Sequence, residues 1–141
     1  MKNKGFTLIE LLISLSIISI ILAMVTLKFN IFDSFYEKEE INTLLNDLDY
    51  CKEMSIITGR DYDIFFKKDN YSINYNLNSK KKIIKKVNLN YIKLSERLSI
   101  ISYRNRGTLS QKSDTYKIYG KKKKYNLKIL PAIGFIKIEE V

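Results

Sequence analysis

The sequence predicts an α+β chain in which one long N-terminal helix packs on an antiparallel β-sheet. Three observations carry this expectation. Residues 6–27 hold a single charge, Glu10, in an otherwise apolar run. Residues 41–58 continue with apolar or small side chains at helical spacing. After Gly59 the pattern changes to short alternating or β-branched runs separated by glycines.

The helix comes first. At 1.5 Å per residue, residues 6–27 span about 33 Å, enough to cross a bilayer core of about 30 Å. Farther on, Ile41, Leu44, Leu45, Leu48, Cys51, Met54 and Thr58 fall on one face, while Asn42, Asp47, Asp49, Lys52 and Glu53 occupy much of the rest. No proline precedes Pro131, so one helix of roughly 80 Å can run from Phe6 to Thr58. Its inner half is expected to lie on the head and its outer half to protrude. Gly59, with Arg60 beside it, supplies the stop, and residues 30–34 are the expected place for a bend or local break.

The strands follow. Tyr62–Lys67 and residues 71–77 flank Lys68-Asp69-Asn70, a hairpin signature. Residues 83–94 read as one long strand or two, with Val87, Leu89, Tyr91 and Lys93 on one face. Residues 98–103, 115–119, 125–130 and 135–138 complete the set, with Gly107, Gly120, Pro131 and Gly134 at the turns between them. Four segments result: residues 1–5, an apolar helix over 6–28, its amphipathic continuation over 29–59, and a β-rich head over 60–141.

Charge divides along the same boundaries. The 141 residues carry a net charge of +10, made of +2 over residues 1–28, −4 over 29–60 and +12 over 61–141. An acidic rod is joined to a basic head, which suggests an electrostatic partner or subunit packing. The absence of His and the presence of a single Cys remove the common metal sites and the Cys-His and Ser-His catalytic pairs. No cofactor is expected. Cys51 cannot form an internal disulfide and reads as a small apolar residue on the buried helix face.

The start of the chain is the most specific feature. A carboxylate inside a membrane-length run costs about 2.5–3.5 kcal/mol on insertion scales, so Glu10 calls for a reason. Lys2, Lys4 and the initial amine lie on one side of the run. Lys28 followed by Asp33, Glu37, Glu39 and Glu40 lies on the other. The positive-inside rule then puts the N-terminus in the cytoplasm and the head outside. A secretory signal peptide explains the apolar run, but not its carboxylate, and Ala23-Met24-Val25 is a poor cleavage site. A plain single-pass anchor explains the length alone. Cleavage between Gly5 and Phe6 explains the rest: it exposes a new amine on Phe6, for which Glu10 is a natural counter-charge. A glycine at that bond also lets a protease approach the backbone closely.

The run Lys4-Gly5-Phe6-Thr7-Leu8-Ile9-Glu10 and the apolar helix after it resemble the type III signal of type IV pilins and pseudopilins. Along the head, residues 45–57, 100–107 and 125–138 resemble the helix end, late strand and closing hairpin of minor pseudopilins of the GspH/FimT type, with the competence minor pilin ComGD as a relative. Phe135 follows Gly134 where that subgroup often has a basic residue. The resemblance implies a pilin-like fold and removal of the leader, residues 1–5, by a prepilin peptidase that also methylates the Phe6 amine. It implies that Glu10 neutralises that amine on a neighbouring subunit. The implied partners are the peptidase, other pilin or pseudopilin subunits and the lipid bilayer, and the implied role is a subunit of a competence pilus or a type II secretion-like pseudopilus on the cell surface. The alternative is a single-pass binding protein whose basic outer head captures DNA or anionic wall polymer.

Nothing in the head resembles an active site, and no enzymatic activity is expected. Asp61 with Asp63 and Glu139 with Glu140 read as solvated pairs. Two basic runs stand out: Lys80-Lys81-Lys82 with Lys85-Lys86 beside a strand, and Lys121-Lys122-Lys123-Lys124 at a turn. Four like charges at a turn make a local positive potential for a polyanion. Tyr119 and Tyr125 flank the second run, where they could stack on single-stranded bases. Lys121, Lys122, Lys123 and Lys124 are therefore the candidate DNA contacts, weighed against a plain solvated turn. The other tyrosines read as half-buried strand residues.

Overall fold

The structure, a computed structural model, describes residues 7–77, 80–131 and 134–141, without the side chains of 25–31, 77 and 80. It divides into two units, Met1–Asp33 and Ser34–Val141. Helix α1, Leu8–Thr58, is hydrogen-bonded without interruption through residues 30–34, where a local break was expected. It ends where the sequence places its stop, at Gly59 with φ of 63°.

The second unit holds eight strands: β1 Tyr62–Lys67, β2 Asn70–Leu77, β3 Lys80–Asn88, β4 Ile92–Leu94, β5 Ile100–Tyr103, β6 Asp114–Gly120, β7 Lys124–Leu130 and β8 Phe135–Glu140. They form two antiparallel sheets rather than one, in the orders β3-β2-β1-β5 and β4-β6-β7-β8. The first hairpin closes as expected, with Lys67 paired to Asn70 across Lys68-Asp69. Alternation sorts each strand. In the first sheet Tyr62, Ile64 and Phe66 pair with Tyr75, Ile73 and Tyr71, and all but half-buried Tyr75 are buried. In the second, Leu127 pairs with Ile138 and Ile129 with Ile136. Ile41, Leu44, Leu48 and Cys51 bring the helix's apolar stripe into the same core. Each large aliphatic among them contributes about 1.5–3 kcal/mol by burial.

Polar contacts between helix and sheets account for most departures from expectation. The run 83–94 divides between the two sheets, and Leu89 and Tyr91 lie in the link rather than on a strand face. The cause is Glu40. One carboxylate oxygen accepts from the Asn90 N–H at 2.8 Å and the other from the Tyr91 and Ile92 N–H groups at 3.0 Å each. Three successive backbone donors turned toward a side chain cannot serve a sheet ladder, so the strand breaks there. Asp47 binds the first sheet: it accepts from the Tyr71 hydroxyl at 2.6 Å and from Lys85 Nζ at 2.7 and 2.8 Å. Burial and this bond push the Tyr71 hydroxyl well above the usual tyrosine range.

The acid pairs expected to be solvated are also engaged. Asp63 is buried, accepts from the Ser102 hydroxyl at 2.7 Å and pairs with Lys81 at 3.2 Å. Asp61 accepts from Arg104 Nη1 and the Asn105 N–H. Glu139 pairs with Lys128 and Lys137, and Glu140 with Lys123. Hydrogen bonds from Lys128 and Lys137 hold the Glu139 carboxyl down to about 2. At the far end of the helix, Gly134 has φ of 59°. A side chain there would start 2.2 Å from the Gly107 carbonyl oxygen, so this turn admits only glycine.

Two outcomes test this packing. Replacing Glu40 with alanine strands backbone donors and should destabilise the chain by about 2–3 kcal/mol in denaturant melts. Replacing its exposed neighbour Glu39 should change stability by less than about 0.5 kcal/mol. Cys51 is fully buried, and burial followed by the Asp47 charge pushes its thiol up to about 12. It should resist alkylation at pH 8 in the folded chain and react only as fast as the chain unfolds, as followed by intact mass. Stoichiometric labelling of the folded chain would contradict this burial.

Candidate functional site

The first candidate site is the start of the helix. Lys2, Lys4, Gly5 and Phe6 lie outside the described residues. Glu10 is described, and it sits in a local bonding pattern. Its carboxylate accepts from the Thr7 N–H and the Thr7 hydroxyl, both at 2.9 Å, and the Thr7 hydroxyl accepts from the Glu10 N–H at 3.3 Å. This is a reciprocal capping box, in which a Thr and a Glu three residues on satisfy each other's exposed donors. The Thr-x-x-Glu spacing in the sequence is the local signal for this box.

Beyond Glu10 the helix turns apolar side chains outward in every direction. Leu8, Ile9, Leu11, Leu12, Ile13, Leu15, Ile17, Ile18, Ile20, Ile21, Leu22 and Met24 are all more than half exposed. An all-round apolar helix needs a lipid or protein environment. The hydroxyls in it are satisfied internally. Ser14, Ser16 and Ser19 each donate to the carbonyl four residues back, at 2.8 Å. They therefore add no unpaired donor to this apolar surface. Among the described residues no helix is long and apolar enough to cross a membrane. The apolar stretch with described side chains, from Leu8 to Met24, has roughly 17 residues and a helical rise of about 26 Å. The expected span over 6–27 also takes in Phe6 and residues 25–27, whose side chains lie outside the description.

The second candidate site is the lysine run, and the structure places it at the β6–β7 turn as expected. Its surroundings differ from a bare loop. The Lys122 N–H donates to Glu37 Oε1 at 2.7 Å, and Glu37 is fully buried. Gly120 makes room for that carboxylate, since a Cβ there would lie 2.6 Å from Glu37 Oε2. Lys121 Nζ lies 4.5 Å over the Tyr91 ring, and Lys123 pairs with Glu140. Tyr125 is buried at 5% exposure and cannot stack on a base, against the sequence expectation, whereas Tyr119 is 44% exposed. The strand run is likewise partly committed: Lys81 pairs with Asp63 and lies over Phe65, and Lys85 pairs with Asp47. Alternation from buried Leu127 and Ile129 could have flagged Tyr125 as an inward residue.

Residues 1–26 match the prokaryotic N-terminal methylation motif. Comparison with curated proteins finds no match. The fold is similar to that of the type IV minor pilin FimU of Pseudomonas aeruginosa in two crystal forms. One matches with a TM-score of 0.59 at 18% identity, covering 72% of this chain and 91% of FimU. The other gives 0.56 at 18% identity, covering 74% and 92%. The chain carries an N-terminal methylation motif ahead of a pilin-like fold.

In this pilin-like chain the two candidate sites belong to different units. Glu10 lies in Met1–Asp33 and the lysine turn in Ser34–Val141. Among the described residues the buried apolar core lies in the second unit, where helix and sheets are also joined by hydrogen bonds.

Proposed function

We propose that this chain is a minor subunit of a type IV filament. A prepilin peptidase cuts between Gly5 and Phe6 and methylates the Phe6 amine. Residues 6–28 anchor the chain in the bilayer, with the N-terminus in the cytoplasm and the head outside, and then pack among neighbouring subunits. The observation that carries this reading is the joint presence of the methylation motif and an all-round apolar helix preceding a pilin fold. In the assembled state Glu10 exchanges its bonds to Thr7 for the amine of Phe6 on a neighbour. The two arrangements are alternatives for one carboxylate.

The filament is a competence pilus or a type II secretion-like pseudopilus. The basic head, with +12 over residues 61–141, favours a machine that handles polyanions. A second reading, a single-pass protein whose head captures DNA or wall polymer through Lys121, Lys122, Lys123 and Lys124, draws on the same charge. Burial of Tyr125 and the internal engagement of Lys121 and Lys123 count against a base-stacking site there.

The capping role and the assembly role of Glu10 separate by mutation. Thr7→Ala removes the hydroxyl half of the capping box, at about 1 kcal/mol of helix end stability, and leaves the carboxylate. It should enter filaments normally, as judged by the sheared surface fraction. Glu10→Ala should be cut and methylated like the native chain yet be missing from that fraction. Normal assembly of Glu10→Ala would remove the pairing role and the filament mechanism built on it.

A further inference from the structure

The outer face of the second sheet presents a tyrosine set among lysines. Tyr119 of β6 stands opposite Lys93 of β4 on one side and opposite Lys124 of β7 on the other. Directly paired residues share a face of a sheet, so the three side chains form one row across three strands. All three are exposed, while their neighbours Ile92, Leu94, Ile118 and Tyr125 are buried. Lys117 lies on the same face, two residues from Tyr119, and is exposed as well. Among the described residues Lys93, Lys117 and Lys124 have no carboxylate partner. The acids nearby are engaged by other cations. Glu96 pairs with Lys68, Asp114 with Arg97 and Glu140 with Lys123, while Glu139, on this same face, is held between Lys128 and Lys137. The Tyr119 ring has no ring or cation against it among the described residues. Tyr91, by contrast, is covered by Tyr36 and Lys121. Beside the row lies an open cleft of about 540 Å³, lined by Tyr119, Lys93, Lys68 and Arg97 among others.

We infer that this row is a binding site for single-stranded nucleic acid: Tyr119 stacks on a base, and Lys93, Lys117 and Lys124 face the phosphates around it. Strand spacing puts the Lys93 and Lys124 backbones about 10 Å apart with the tyrosine between them. A stacking ring bordered by cations is the arrangement that holds a single strand without reading its sequence. The open ring selects the single strand, because a base inside a duplex already has a neighbour on each face. A phosphate polymer without bases would gain from the lysines alone and leave the ring unused. The cleft receives the adjoining nucleotide, with Lys68 and Arg97 on its walls. Lys121, Lys122 and Lys123 belong to the turn and have contacts of their own, so the site shares only Lys124 with the turn. The inference deepens the nucleic-acid reading of the head by moving its contact from the turn to the sheet. It lies wholly within the head unit, and the filament reading, which is tested at Gly5–Phe6, does not depend on it.

The test uses the full chain in a nonionic detergent and a fluorescent oligothymidylate of about twelve nucleotides, with binding read by anisotropy. The native chain should bind it in a salt-sensitive manner and bind a duplex of the same length more weakly. Tyr119→Ala should weaken binding about tenfold, and Tyr119→Phe, which keeps the ring, less than about twofold. Replacing Lys93 and Lys124 together with Gln should lower the slope of log affinity against log salt by about 1.4. The matched pair Lys82→Gln and Lys86→Gln, exposed on β3 of the other sheet, should weaken binding less than about twofold. All these positions are exposed, so each variant should melt like the native chain. No binding by the native chain, or binding that Tyr119→Ala leaves unchanged, would overturn the site. Equal affinity for the duplex would overturn its selection of a single strand. Competition by inorganic polyphosphate that matches the oligonucleotide charge for charge would overturn nucleic acid in favour of a base-free wall polymer.

Discussion

The head depends on carboxylates that project from one helix into two sheets. Glu37 fixes the β6–β7 turn, Glu40 gathers three amides of the β3–β4 link, and Asp47 binds Tyr71 and Lys85 of the other sheet. The apolar stripe from Ile41 to Cys51 supplies most of the attraction, as apolar burial does in any small core. Apolar contact is not directional, however, and it would tolerate several registers. The carboxylates are directional and expensive to leave unpaired when buried, so they select one arrangement of the sheets on the helix. The negative charge of residues 29–60 and the positive charge of the head are therefore partly consumed within the chain. They are not wholly reserved for a partner.

The helix consequently has two halves with different obligations. From Ser34 to Thr58 its polar and apolar side chains are matched to the sheets. From Leu8 to Met24 the described apolar side chains are exposed, and its serine hydroxyls are turned back on its own carbonyls. Under the proposed function, the exposed apolar half is the part that meets lipid or neighbouring helices, and the matched half is the part that holds the sheets.

Much of this was legible in the sequence. The helix end at Gly59, the β1–β2 hairpin and the glycine turns were set by local signals, and local signals survive into the fold. The division of residues 83–94 was not legible, because its cause, Glu40, lies about fifty residues away, and nothing in a strand pattern reports a distant side chain competing for its amides. The same holds for Asp63 and Glu139, which looked solvated until their lysine partners were brought alongside. At the lysine run the turn itself was readable from Gly120. Its attachment to the helix was not, since that depends on the long-range bond from Lys122 to Glu37. Glu10 stands out in the sequence as the one charge of the apolar run, whereas its bonds to Thr7 were not read from it.

The central claim is that the N-terminal signal makes this chain a filament subunit precursor. Its most direct test is the intact mass of the chain after co-expression with a prepilin peptidase, with Gly5→Leu as control. The account predicts loss of residues 1–5 and gain of one methyl group in the native chain, with neither change in the control. An uncut chain, or a cut beyond the apolar run, would contradict it.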